Sequence, residues 1–310
     1  MEQAQELING IQQGLLQWYD FGEESSVLFI GDENTPLAQM LSGKNLRVTC
    51  VMPEGLSDEE WQQEHDRYFD YIICIQVLET QKNPKDILEG FYRLLKLDGV
   101  MLLGMNNRMG IRYFCGDRDI HTNRCFDSIE GYRRTYSRNE DVFKGRSYTK
   151  AEIKRKLEMA GWGQLRFYSV FSDLRNPTLI YSENYLPNED LANRLLPFYN
   201  YPHTVFLNER MLYEDLVDNG MFHQMANAYL IECTINGKLS DIDHVTCSMD
   251  RGKERALFTI IRHSGTVEKR AAYPEGRKRL EHFVEHGRDL ERHGIAVVSA
   301  QIKNDTYVMP

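Results

Sequence analysis

Four continuous apolar runs limit what this chain can fold into more than any other feature. They are SSVLFIG (25–31), NLRVTCVMP (45–53), FDYIICIQVL (69–78) and GVMLLGMNN (99–107). The first and last read as buried strands, the second as a strand ended by Pro53, and FDYIICIQVL, with its continuous apolar character, as a strand covered on both faces. Between the last two lies NPKDILEGFYRLLKLDG (83–99), where Asn83 suits an N-cap and Pro84 the first helical position. Ile87, Leu88, Phe91, Leu94 and Leu95 form one apolar face of that helix. Strands alternating with helices predict an α/β domain of doubly wound type, with a mostly parallel sheet and right-handed crossovers.

The pattern continues beyond the fourth run. Leu7, Ile8, Ile11, Leu15, Trp18 and Tyr19 place an amphipathic helix at the start of the chain. TKAEIKRKLEMAGW (149–162) opens on a Thr149–Glu152 capping box and ends at Gly161, where a left-handed residue is wanted. QLRFYSVFS (164–172) and ANAYLIECT (226–234) read as later strands, with helix-like NEDLANRLLPFY (188–199) and NERMLYEDLVDNG (208–220) between them. After Cys233 the character changes to a polar linker at 235–244, a hairpin turning at His263-Ser264-Gly265, a charged helix, and a last hairpin with an Asn-Asp turn. Two regions are expected: 1–235, and a small α+β unit at 236–310.

A net charge of -9 with no long basic run argues against nucleic acid as the main partner. Neither a leader peptide nor a membrane span is visible, which implies a cytoplasmic protein. Six cysteines lie scattered without CxxC spacing and read as buried, reduced thiols. His282 and His286 are four apart on a helix, a spacing that can bind metal, but they lack a third ligand, so no metal is expected.

The chemistry turns on VLFIGDENTPLA (27–38). A strand delivers the chain to Gly31 and then to a polar turn, as strands do at nucleotide sites. With FDYIICIQVLETQKNPKDILEGFYRLLKLDGVMLLGMNN (69–107), this stretch resembles the class I, Rossmann-like methyltransferases that use S-adenosyl-L-methionine. The resemblance covers roughly residues 1–234 and implies a seven-stranded-type sheet. It also implies that Gly31, Asp32, Glu33, Asn34, Met52 and Gln76 line the cofactor, with Asp32 or Glu33 meeting its ammonium. The family has an acidic residue in the first strand and a glycine-rich turn; here those positions read Phe29, Gly31, Glu33 and Thr35. The carboxylate that normally ends the second strand is replaced by Met52, with Glu54 two residues on. Two readings therefore stay open: a working cofactor loop, or a degenerate methyltransferase-like scaffold that binds a glycan-assembly partner.

The irregular segment after the fourth run resembles an acceptor-side insert of methyltransferase domains attached to bacterial glycan-assembly proteins. That implies a surface-glycan-related or small-molecule acceptor, with Asn107 and Tyr113 for binding and His121 and Tyr132 for catalysis. The same residues also suit ordinary loop packing. Finally, TVEKRAAYPEGRKRLEHFVEHGRDL (266–290) resembles the third strand and helix of a protein-kinase-like N-lobe. It implies Lys269 and Glu281 or Glu285 as nucleotide-binding residues, and fusion to further C-terminal domains. A plain α+β appendage remains the other reading of this region.

Overall fold

A computed structural model describes residues 2–138, 141–187 and 191–310. The chain opens with helix α1 (Glu2–Gln13), then strand β1 (Ser26–Ile30), α2 (Pro36–Ser42), β2 (Arg47–Val51), α3 (Glu59–Glu64), β3 (Phe69–Ile75), α4 (Pro84–Leu94) and β4 (Leu95–Asn106). A short α5 (Ile111–Phe114) starts the long insert, which ends at α6 (Lys150–Met159). Next come β5 (Gln164–Asp173), β6 (Asn176–Ser182), α7 (Leu191–Arg194), α8 (Tyr213–Asp218) and β7 (Ala228–Thr234). The last part holds β8 (Ile242–Ser248), β9 (Leu257–Arg262), β10 (Val267–Ala271), α9 (Arg277–Arg292), β11 (Gln301–Lys303) and β12 (Thr306–Met309).

The strands form one twelve-stranded sheet in the order β11-β12-β10-β9-β8-β6-β5-β7-β4-β3-β1-β2. Here the expectation of a mostly parallel sheet needs correction, because the sheet is mixed. Among the described strands, parallel pairing is confined to β2, β1, β3 and β4, the four apolar runs. Every other neighbour is antiparallel. The reason lies in connection length: β5 and β6 are joined by two residues, which can close only an antiparallel hairpin, whereas a parallel crossover needs a dozen or more. The boundary expected between residues 235 and 236 falls at the exit of β7. There the chain re-enters the same sheet, with β8 pairing against β6.

Each face of the sheet carries its own core. One packs α4 (Leu88, Phe91, Leu94) and α6 (Ile153, Leu157) with Tyr213 and Phe222 over β3, β4, β5 and β7. The other packs Leu15, Leu16, Trp18 and the α2 residues Ala38 and Leu41 with Val245, Phe258 and Ile260. The capping box forms as expected, with Thr149 accepting from the Glu152 N–H and the Glu152 carboxylate accepting from the Thr149 N–H. Asn83 differs: its side chain makes no capping bond to the helix backbone and donates instead to the Asp86 carboxylate at 2.7 Å. The helix expected over 188–199 is α7 alone in its described part; residues 188–190 lie outside the described residues. Among the described residues, no helix is long and apolar enough to cross a membrane.

Two histidines, His244 buried and His223 half-buried, set an acid limit on this core. His244 is 4% exposed on β8 and bonds the Ile180 carbonyl and the Thr246 hydroxyl, each at 2.9 Å. Burial pushes its pKa down to about 4, and that of His223 likewise. The unfolded chain takes up these protons below pH ~6.5, but the folded chain holds them off until far lower. Stability from this source is therefore complete above pH ~6.5 and drains away as pH falls toward 4. In urea melts, His244→Asn is expected to weaken the protein at pH 7 and to flatten its loss of stability between pH 6.5 and 4.5. An unchanged slope would remove His244 as the cause.

Candidate functional site

The C-terminal ends of β1, β2 and β3 come together because those strands run parallel, and the loops leaving them face one side of the sheet. At the end of β1, Gly31 donates its N–H to the Val51 carbonyl at 2.9 Å, pinning the loop to β2. Gly31 has φ +144°, and a Cβ there would lie 3.1 Å from the Phe29 ring. A side chain at this position would be strained in its backbone and crowded against Phe29. Asp32 folds back so that one carboxylate oxygen accepts from the Asn34 N–H and the Asn34 amide, both at 2.8 Å. These bonds lower its pKa from the ordinary carboxylate value. Thr35 then caps α2. The Cys50 thiol, on β2, is pushed up by burial and by the charges of Glu33 and Asp32, so both carboxylates lie within electrostatic reach of that strand.

Met52 follows the last residue of β2 and is 54% exposed. The residues after it, Pro53 and Glu54, line a groove of about 430 Å³ with Leu56, Gln81, Asp86 and Phe91. The acidic Glu54 thus stands at the groove, together with the basic Lys82 and Arg93, although the residue that follows β2 is a methionine. At the end of β3, Gln76 has φ +57°, and its N–H donates to the Gly104 carbonyl at 2.7 Å.

Three residues beyond Gln76, Glu79 is fully buried. One of its carboxylate oxygens accepts from the Asn106 N–H at 2.9 Å, the Asn106 amide at 3.1 Å and the Ser147 hydroxyl at 3.1 Å. The other oxygen has no hydrogen-bond partner among the described residues. The Ser147 N–H donates to the Tyr132 hydroxyl at 2.8 Å, which itself donates to Asp119 at 2.9 Å. Asp119 accepts from the His121 N–H at 2.9 Å. The ring closes where His121 Nε2 stands 3.8 Å from the bonded Glu79 oxygen, an ion-pair distance rather than a hydrogen bond. Burial opposes charge on His121, but Glu79 and Asp119 overcome it and raise its pKa above the ordinary value. Tyr132 holds φ +64°, a conformation a bulky residue keeps only where its surroundings impose it.

The insert residues singled out in the sequence thus divide. His121 and Tyr132 meet in this ring. Tyr113 is fully buried, its hydroxyl has no hydrogen-bond partner among the described residues, and burial pushes its pKa up. Asn107 is used elsewhere: its amide N–H groups go to the Gln224 and Ala226 carbonyls and the Tyr229 hydroxyl, and its oxygen accepts from the Met109 N–H. Glu79, Asp119 and Ser147 were missed by sequence reasoning. Glu79 left a trace, as the first charged residue after the FDYIICIQVL run. In the last region, Lys269 lies 5.0 Å over the Phe283 ring, and among the described residues it makes no ion pair with Glu281 or Glu285. The rings of His282 and His286 stack at 6.4 Å, and among the described residues no group of three or more metal-ligating side chains gathers.

Residues 32–163 match the family model of a methyltransferase domain. The matched stretch takes in the Asp32 loop, the groove, Glu79 and His121. S-adenosyl-L-methionine is the cofactor this match supports. No curated protein matches the chain. Among solved structures, it is similar to a SAM-dependent methyltransferase of Thermotoga maritima, 12% identical, with 76% of this chain and 94% of that one covered and a TM-score of 0.38. It is also similar to a SAM-dependent methyltransferase of Archaeoglobus fulgidus, 12% identical, over 74% of this chain and 93% of that one, with a TM-score of 0.42.

Proposed function

We propose that this chain is an S-adenosyl-L-methionine-dependent methyltransferase acting on a small polar or surface-glycan-related acceptor. The observation that carries the reading is the placement of the Gly31–Asn34 turn. It lies at the end of a parallel strand and is bonded to the end of β2, from which the chain runs into the groove, and all of it but Gly31 falls inside the stretch that matches a methyltransferase domain. The residues present fit the cofactor. The Asp32 oxygen that Asn34 leaves free would accept from the ammonium. Glu54, on the groove, would take the ribose hydroxyls in place of the missing carboxylate at Met52. When bound, S-adenosyl-L-methionine supplies a methyl group on a positively charged sulfur. The chain's own part is to align the acceptor, exclude water and receive a proton, a role this reading gives to His121. In this reading Lys269 and Glu281, although they make no ion pair among the described residues, would face a nucleotide in a kinase-like region within residues 236–310.

Calorimetric titration with S-adenosylhomocysteine tests this. Micromolar binding is expected, with about 2.7 kcal/mol of stabilisation at a ligand concentration one hundred times Kd. Gly31→Val should weaken binding at least tenfold, because the turn must rearrange to relieve both φ and the Phe29 contact. The absence of heat and of stabilisation at millimolar ligand would favour the degenerate scaffold, which the single-glycine turn and Met52 otherwise motivate.

A further inference from the structure

In a chain of net charge -9, three arginines converge on one cavity. Arg118, Arg124 and Arg134 line about 390 Å³ of space in the insert, together with Asn123, Asp127 and Glu130. Like charges gathered in this way repel unless each finds a counter-charge. Arg134 has one, since Glu130 accepts from its Nε at 2.7 Å and from its Nη2 at 2.8 Å. Among the described residues, Arg118 and Arg124 form no ion pair. Asp127 gives one carboxylate oxygen to the Thr135 hydroxyl at 2.6 Å and pairs with neither arginine. Asp117, next to Arg118, is taken by Arg112 and by the N–H groups of Asn200 and Tyr201. Arg118 is half-buried all the same. Its guanidinium lies 5.8 Å over the Tyr201 ring, its Nη1 reaches Asn123 only at 3.4 Å, and its Nε has no hydrogen-bond partner among the described residues.

We propose that this cavity binds an oxyanion, a phosphate monoester or a carboxylate, carried on a polyhydroxylated body of monosaccharide size, with Arg118 and Arg124 as the anion's partners. A guanidinium presents its N–H groups as a planar fork that matches the oxygens of either anion. The nature of the body follows from the rest of the wall. Among the described residues no aliphatic or aromatic side chain lines the cavity, whereas Asn123 and the carboxylates offer the donors and acceptors that hydroxyls need. The volume falls within the usual range for small-molecule sites, about 300–1,000 Å³. The loop that carries both unpaired arginines is already folded. Arg118 and Cys125 form an antiparallel bridge, the Asp119 N–H donates to the Arg124 carbonyl at 3.0 Å, and the Asn123 N–H donates to the Asp119 carbonyl at 2.9 Å. The Asp119 carboxylate holds the tip by accepting from the Thr122 N–H at 3.0 Å. A loop held in this way loses little freedom when a ligand arrives. None of the lining residues belongs to the Gly31–Asn34 turn or to the groove, so the site stands without the methyl-transfer reading.

Calorimetric titration of the full chain without cofactor, at pH 7.5 and low ionic strength, tests the site with glucose 6-phosphate, glucuronate and neutral glucose in turn. Binding of at least one anion is expected, and none of glucose. Heat from the phosphate alone assigns a phosphate monoester, and heat from glucuronate alone a carboxylate; either supports the site. Arg124→Ala should weaken binding about tenfold, the effect of losing one hydrogen bond to a charged group. Arg133→Ala is the control, because it removes the same charge from a residue that does not line the cavity, and it should leave the affinity unchanged. Both arginines are exposed, so neither replacement opens the core. Glu130→Gln, which frees Arg134, is expected to tighten binding. No heat from either anion would overturn the proposal. So would equal losses in Arg124→Ala and Arg133→Ala, which would mean general attraction to positive charge, or weaker binding in Glu130→Gln.

Discussion

A chain ending at residue 235 is expected not to fold cooperatively, although that point closes the stretch that resembles a methyltransferase. The cut removes β8, so β6 becomes a bare edge beside the core. It also takes Ile242, Val245, Phe258 and Ile260 out of the core they share with Leu15, Leu16 and Trp18. Each such side chain contributes about 1.5–3 kcal/mol when fully buried, so four of them together rival the whole stability of an ordinary domain, about 5–15 kcal/mol. A polar loss adds to this. Glu232 is fully buried on β7 and bonds Tyr19, Tyr168 and both the N–H and hydroxyl of Ser240. Without Ser240 this carboxylate keeps only the two tyrosines. Circular dichroism in the near ultraviolet and a thermal melt check the outcome: weak aromatic signal and no sharp transition are expected. A soluble monomer with one sharp transition would show that residues 1–235 are self-sufficient.

The same region explains why part of the fold was legible in the sequence and part was not. The buried runs 27–30, 69–75 and 99–106 announce themselves because strands covered on both faces contain almost no polar residues. β8 does not. Its sequence IDHVTCS carries an aspartate and a histidine, and 242–244 read as the end of a linker. Asp243 and His244 are nonetheless buried, each satisfied by partners distant in sequence: the Ser182 hydroxyl for one, the Ile180 carbonyl for the other. Such tertiary compensation leaves no local signal. The candidate site divides in the same way. The Gly31–Asn34 turn is a local motif and could be read. The ring of Glu79, Ser147, Tyr132, Asp119 and His121 joins residues up to 68 positions apart and could not.

Arg112→Met is the substitution with the largest expected effect on the insert. The guanidinium is 1% exposed, with Asp173 at 3.3 Å and Asp117 at 3.8 Å, and it donates to the Phe198 carbonyl. Glu209, also fully buried, shares its field. Asp117 in turn accepts from the backbone N–H groups of Asn200 and Tyr201, so the cluster ties residues 198–209 to the start of the insert. Removing one partner of a buried ion pair is destabilising by about 3–5 kcal/mol, because the charge left behind stays desolvated. Here Asp117, Asp173 and Glu209 would all lose their shared cation. Burial already raises the Glu209 pKa, whereas Arg112 and Arg175 outweigh burial at Asp173 and lower its pKa. In the variant the folded carboxylates become harder to ionise than the unfolded ones, so the deficit should grow as pH rises through their titration and shrink on acidification. Urea denaturation at pH 5 and pH 8 would register a loss near the upper figure at pH 8 and a smaller one at pH 5. A loss below 1 kcal/mol at both would mean that the cation is dispensable. The consequence reaches the candidate site, because the chain runs from Arg112 through Asp117 to Asp119, whose carboxylate holds the His121 N–H. Variants here should therefore loosen His121 before they disturb the Gly31 turn, which is pinned separately to β2.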